Sequence, residues 1–153
     1  MMGIEDRFIV VGVDGSAQSI KALEWGVRQA KLLGARVHAI GAWEVPITIF
    51  ITITYVEDDY GRAASEVFDR AIAVAVEALG DDGAGVVIET QLVQEQPRKA
   101  LLDAAIGAVS LVIGSHGHGG SFPGVHLGSI ASYCVHHAPC PVVVIRDGQD
   151  AHW

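Results

Sequence analysis

The sequence predicts an α/β protein built on a mostly parallel sheet, and three observations predict it. Short β-rich runs alternate with long amphipathic helical patterns along the 153 residues, the rhythm of repeated strand-helix units. The clearest β run, Phe8 to Val13, is almost continuously apolar, as a strand covered on both faces must be. Six of the 18 glycines (Gly114, Gly117, Gly119, Gly120, Gly124 and Gly128) fall within fifteen residues at the end of another apolar run. Strand carboxyl ends are where parallel sheets place their ligands.

Taken in order, Asp14, Gly15 and Ser16 end the first strand, and Ser16 suits the N-cap of the helix that follows. That helix carries Ile20, Leu23, Val27 and Ala30 on one face and stops at Gly34. A second strand runs from about Arg36 to Trp43. From Ile47 to Tyr55 the chain alternates strictly, with Ile47, Ile49, Ile51, Ile53 and Tyr55 on one side, which predicts an extra β-ribbon or loop packed on its own domain rather than a partner-binding strand. A long helix follows, from about Tyr60 to Leu79, with Ala64, Phe68, Ala71, Ala75 and Ala78 on one stripe and Gly80 at its end. The loop from Asp81 to Gly85 is polar. A third strand, Val86 to Val93, precedes Pro97, which fits the first turn of a helix reaching about Gly107. Leu111 to Ile113 is a short buried strand; after the glycines, Ser129 to His137 is a short helix and Pro141 to Arg146 a last strand. Five parallel strands with helices between them is the expected fold, in a single domain of core about 7–146 with a tail at 147–153.

Half of the residues are apolar and 18% are charged, a balance that excludes a disordered polymer. The mean hydropathy is +0.37, yet the longest apolar stretches are strand-length, far short of the ~20 residues of a spanning helix. A net charge of -8 leaves no basic face to grip nucleic acid. The two cysteines, Cys134 and Cys140, are too few for a disulfide scaffold and read as reduced thiols of a cytoplasmic protein. Acidic residues stand where a signal peptide would be basic, so export is not indicated.

Glycines let backbone N–H groups turn toward one concavity, and a helix N-terminus behind them adds partial positive charge. The glycine cluster with Gly128-Ser129 therefore reads as a phosphate cradle made of backbone. It is not a P-loop: Gly114 to Ser121 has the Walker A spacing but glycine at the lysine position, and no Lys or Arg occurs between Lys99 and Arg146. Nor is Ser115 a nucleophile elbow, since Ile113 stands where a glycine is needed. His116, His118 and His126 form an alternative transition-metal set that lacks a defined fourth ligand; otherwise no metal site is expected. His136 and His137 read as capping or solvent-facing, and Cys134 and Cys140 as small buried apolar residues without a basic neighbour.

Four segments together resemble the universal stress protein family over almost the whole chain: Ile9-Val-Val-Gly-Val-Asp-Gly-Ser16, Leu111-Val-Ile-Gly-Ser-His-Gly-His-Gly-Gly120, Gly128-Ser129 and Cys140-Pro-Val-Val-Val-Ile145. The resemblance implies a Rossmann-like fold of the adenine nucleotide alpha hydrolase type, a five-stranded parallel sheet in the order 3-2-1-4-5 with helices on both faces. Members that bind ATP carry G-x-x-G, nine residues, then G-[S/T]. On that pattern Gly114 and Gly117 approach the ribose and phosphates, with Gly128, Ser129 and the Ile130 amide closing on the triphosphate, and Ile113, His116 and His118 are counted among the nucleotide-binding residues. Asp14 then sits near the ribose or a bound Mg2+, and the backbone near Gly12, Val13 and Ala42 meets adenine; the alternative for Asp14 is an Asx-turn that caps the helix. The chain departs from the pattern twice. Ten residues, not nine, separate Gly117 from Gly128, and histidines stand where relatives often carry arginine. Imidazoles ordinarily titrate near ~6.5, so nucleotide binding is expected to strengthen as pH falls toward 6.

The leading functional expectation is a cytoplasmic stress or regulatory protein that binds ATP or another adenine nucleotide. A nucleotide-free dimeric interaction module of the same fold is the alternative. An ATP hydrolase needs a positioned base and a charge clamp that the loop does not show, so at most slow hydrolysis is expected. No acidic partner precedes Asp14 and no late lysine follows, which argues against a receiver-like phosphoacceptor. The resemblance further implies a homodimer through Val142 to Ile145, pairing antiparallel across a two-fold axis and protecting an apolar edge.

Overall fold

The computed structural model describes residues 6–45, 53–116 and 127–146. In chain order the elements are β1 (Phe8–Gly12), α1 (Ala17–Leu33), β2 (Arg36–Trp43), α2 (Ile53–Leu79), a 3-10 turn (Gly80–Gly83), β3 (Ile88–Gln94), α3 (Pro97–Ala104), β4 (Ser110–Gly114), α4 (Ser129–His137) and β5 (Val142–Ile145). The five strands form one parallel sheet in the order β3-β2-β1-β4-β5. The expected class and strand order are both present.

Alternation along the strands divides the core in two. Ile9, Val11, Val13, Val37, Ala39 and Val112 face α1 and α2, where Leu23, Val27, Ala30, Phe68, Ala71 and Ala75 close over them. Val10, Ile40, Leu111 and Ile113 point the other way, against Ala100 and Leu101 of α3 and Ala131 and Cys134 of α4. Both faces of β1 are therefore dry, which is why its sequence is apolar without interruption. Within the core, two close approaches require glycine. A Cβ on Gly41 would lie 2.5 Å from the Phe68 ring, and one on Gly26 would lie 2.7 Å from Val11 Cγ2.

Helix α1 begins and ends as its sequence predicts. The Ser16 hydroxyl accepts from the Ser19 N–H, and Gly34 adopts the left-handed conformation at φ 66° with its N–H on the Ala30 carbonyl. Helix α2 does not start as predicted: it begins at Ile53, seven residues before Tyr60, so Ile53 and Tyr55 are helical and do not continue an extended ribbon. β-branched alternation is a weak backbone preference, and Ile and Thr in a helix cost only a few tenths of a kcal/mol each relative to alanine. Residues 47–52 of that segment lie outside the described residues. Gly61 gives the Trp43 indole room, since a Cβ there would meet Trp43 Cζ2 at 3.0 Å, and α2 thereby closes over the end of β2. Helix α3 is shorter than expected, ending at Ala104; the chain then turns through Gly107 at φ 81°, which stops a helix that the sequence pattern would have carried on. β3 likewise begins two residues later than Val86.

No helix among the described residues is long and apolar enough to cross a membrane.

Candidate functional site

Strand order reverses between β1 and β4. β1 is followed by a helix on one face of the sheet and β4 by a helix on the other, so the loops leaving these adjacent strands diverge and open a crevice at their carboxyl ends. The residues that sequence reasoning singled out sit at this edge: Gly12, Val13 and Asp14 after β1, Ala42 near the end of β2, Ile113, Gly114 and His116 at the end of β4, and Gly128, Ser129 and Ile130 at the start of α4. Gly117, His118 and His126 lie outside the described residues, and with them most of the alternative histidine metal set. Among the described residues no group of three or more His, Cys, Asp or Glu could hold a metal ion.

The turn from Asp14 to Ser19 carries local bonds. Asp14 Oδ1 accepts the Ser16 N–H at 2.8 Å, an Asx-turn, with Gly15 at φ 87° completing the bend. The Ser19 hydroxyl donates to the Ser16 carbonyl at 2.9 Å and lies 3.3 Å from the Asp14 amide that donates to it. Val13 is buried, and its N–H is committed to the Ile40 carbonyl at 2.8 Å. The Asp14 carboxylate is exposed at the mouth of the crevice.

The two described residues after β4, Ser115 and His116, are held by long-range bonds. Gln18 Oε1 accepts from the Ser115 hydroxyl at 2.7 Å and from the His116 N–H at 2.8 Å. Ser115 also donates its N–H to the Ile145 carbonyl of β5 and accepts the Gly128 N–H at 2.7 Å. That last bond ties the start of α4 directly to the end of β4. It also commits the Gly128 amide, leaving the first-turn amides of Ser129 and Ile130, which have no intrahelical acceptor, on exposed residues of α4.

Two glycines of the cluster, Gly114 and Gly128, lie among the described residues. Neither Gly114 nor Gly128 has a positive φ. A Cβ on Gly114 would lie 2.9 Å from Gln18 Cβ and 3.2 Å from the Gln18 carbonyl carbon; the glycine is there because α1 presses on the end of β4. Ile113 is buried between the sheet and α3/α4 and offers a ligand only its backbone. The His116 Nδ1 atom is buried and has no hydrogen-bond partner among the described residues.

Beneath α4 the thiols are inert. Burial, with a smaller contribution from neighbouring Cys140, pushes the Cys134 thiol up to about 11, and burial also raises Cys140, so neither is a thiolate nucleophile at neutral pH. His136 and His137 are exposed in the last turn of α4, with His136 Nδ1 2.7 Å from the Ser132 carbonyl, a placement favourable to the helix C-terminus. Among the described residues this edge carries backbone amides, the Ser129 hydroxyl, the His116 imidazole and the Asp14 carboxylate.

A model of the universal stress protein family matches residues 7–146. The chain belongs to that family. A universal stress protein of Mycobacterium tuberculosis is 33% identical over 143 residues, covering 93% of this chain and 44% of its own length. One of Mycolicibacterium smegmatis is 32% identical over 155 residues, covering 94% of this chain and 50% of its own. The chain thus spans about half the length of the curated relatives it matches. Among solved structures, the universal stress protein UspA from Lactobacillus plantarum aligns with a TM-score of 0.79 at 25% identity, covering 93% of this chain and 99% of that one. A universal stress protein in complex with cAMP aligns with a TM-score of 0.63 at 25% identity, covering 91% and 96%.

The residue that sequence reasoning missed in this universal stress protein is Gln18. It lies in the first turn of α1, where a polar side chain is unremarked, and its partners are 97 and 98 residues away. No local pattern marks it.

Proposed function

We propose that this universal stress protein is a cytoplasmic stress or regulatory protein that binds ATP or another adenine nucleotide at the β1/β4 edge. The observation that carries the reading is that the Asp14 turn, the end of β4 with His116 and the first turn of α4 all stand at the carboxyl edge where the strand order reverses. A helix N-terminus with amides and a nearby imidazole offers donors to a phosphate, and the exposed Asp14 carboxylate offers an acceptor to a ribose hydroxyl or a ligand to Mg2+ accompanying the nucleotide. Ser129, Ile130 and His116 thus fit the phosphate end of such a ligand, while the backbone about Gly12, Val13 and Ala42 fits the base. The family's solved cAMP complex supports the same ligand class.

Denaturing the purified protein and assaying the supernatant for adenine nucleotide tests the reading, together with melting in millimolar ATP and magnesium. A ligand that binds only the native state raises the melting temperature by mass action. No released nucleotide and no thermal shift would leave a nucleotide-free interaction module.

The same reading includes a homodimer through β5. This strand closes one edge of the sheet, with β4 on its inner side, and its four residues Val142, Val143, Val144 and Ile145 are only half-buried. A second copy pairing along it would cover an apolar edge. Light scattering at micromolar protein decides this, a monomer mass refuting it.

A further inference from the structure

We infer that Gln18 is a positioning residue for the nucleotide, the strut that fixes Ser115 and His116 at the end of β4 against α1; this rests on the nucleotide reading above. Its side-chain oxygen receives two donors from consecutive residues of the loop, the Ser115 hydroxyl at 2.7 Å and the His116 N–H at 2.8 Å. A backbone N–H can only donate, so the atom facing it is the amide oxygen and the orientation of the Gln18 amide is determined. Directly beneath, Gly114 brings the backbone of β4 within van der Waals reach of Gln18 itself, and any larger residue there would collide with it. Helix α1 and strand β4 therefore meet in one joint, with the clearance supplied by a glycine and the connection by a glutamine.

The joint lies between the two halves of the site. Four residues before Gln18 is Asp14, whose turn is bonded to Ser16 and Ser19 on either side of Gln18. On the other side of the joint, Ser115 holds the start of α4 through Gly128, and the His116 Nδ1 has no partner among the described residues. Gln18 is thus the side chain through which the Asp14 turn, the His116 imidazole and the α4 amides keep a common geometry. Held donors bind a ligand without the ordering cost that loose ones incur. Gln18 acts through Ser115 and His116, and nothing in its role requires contact with the ligand.

Gln18→Met, Gln18→Glu and Ser115→Ala test this. Methionine keeps the length of the side chain and removes the acceptor. Glutamate keeps an acceptor oxygen, and a negative charge in the first turn of α1 is favourable to the helix. Affinity is measured for adenosine, which carries no phosphate for the introduced carboxylate to repel, and for ATP with magnesium, with amide hydrogen exchange at His116 followed in parallel. Losing two part-buried hydrogen bonds predicts that Gln18→Met weakens both ligands about tenfold and speeds exchange at His116. Gln18→Glu restores adenosine binding and slow exchange, and Ser115→Ala, which keeps the His116 bond, loses less than Gln18→Met and serves if that variant does not fold. Gln18→Met binding like the wild type, or Gln18→Glu binding adenosine as poorly as Gln18→Met, overturns the role given to Gln18. Wild-type protein that binds neither ligand overturns the nucleotide reading and the positioning role with it, whereas fast exchange at His116 in the wild type overturns the joint alone.

Discussion

The two halves of the crevice are built by opposite means. After β1, the turn through Asp14, Gly15 and Ser16 is held by bonds between residues two to five positions apart. After β4, the chain is held by Gln18, Ile145 and Gly128, none of them a near neighbour of Ser115 or His116 in sequence. Beyond the Val13 N–H, which reaches the Ile40 carbonyl of β2, the first half needs only α1. The second exists only when α1, β4, α4 and β5 are already assembled. Stability and ligand geometry should therefore separate: damage to the first half should weaken α1, while damage to the second should misplace the site.

The largest effect is expected at Gly114. Gly114→Ala puts a methyl group 2.9 Å from Gln18 Cβ and close to the α1 backbone, so helix or strand must shift, and a loss of about 2 kcal/mol of stability is expected from such overpacking. Urea unfolding measures it, and a variant as stable as the wild type would show that the joint yields easily. Ser16→Ala breaks the local half instead. It removes the side-chain cap on the Ser19 N–H and should cost about 1 kcal/mol, while exchange at the His116 amide stays slow; faster exchange there would mean that the two halves are not separable.

A smaller effect concerns the support under α4. The Cys134 thiol is raised from its ordinary 9.0 to about 11 by burial, so between these values the native state retains a proton that the unfolded chain releases. Stability from this group is complete below pH 9 and declines as pH rises from 9 toward 11. Denaturation midpoints at pH 8 and pH 10 measure the decline, and a Cys134→Ala variant should show less of it. If the decline is undiminished in that variant, other groups are responsible. The smallest effect belongs to a residue outside both halves. Lys99 is exposed, with Asp103 Oδ2 at 3.1 Å and Glu95 Oε2 at 3.4 Å; the bond to Asp103, then the charges of Asp103 and Glu95, raise its pKa. Solvent screens such pairs, so Lys99→Ala should leave both the urea midpoint and nucleotide affinity close to those of the wild type. A clear change in either would place α3 within the site's supporting structure.

The legibility of the molecule follows the same division. Ser16 and Gly34 mark the ends of α1 because a cap is a contact between neighbours in sequence, and the apolar run at β1 marks a strand dry on both faces because periodicity records burial. The glycines near Gly114 and the Asp14 turn point to the crevice for the same reason. What misled was also local: the alternation from Ile47 to Tyr55 resembles a ribbon, whereas from Ile53 onward the chain is helical, since packing of α2 on the sheet outweighs a modest β preference. Gly114 illustrates a subtler gap. Its identity is visible, but the reason for it, the approach of Gln18, is not.

Read alone, the chain settles the α/β class, most strand and helix positions, the family to which it belongs and the edge of the sheet where its unusual residues gather. Each of these depends on near neighbours or on a repeating pattern of burial. The structure alone decides that Gln18 accepts from Ser115 and His116, that the Gly128 amide is spent on Ser115, and that the His116 Nδ1 has no partner among the described residues. These arrangements join separate elements, with the Gln18 bonds reaching 97 and 98 residues along the chain. They form only when packing of the sheet and its helices brings the partners together, and no local pattern encodes them.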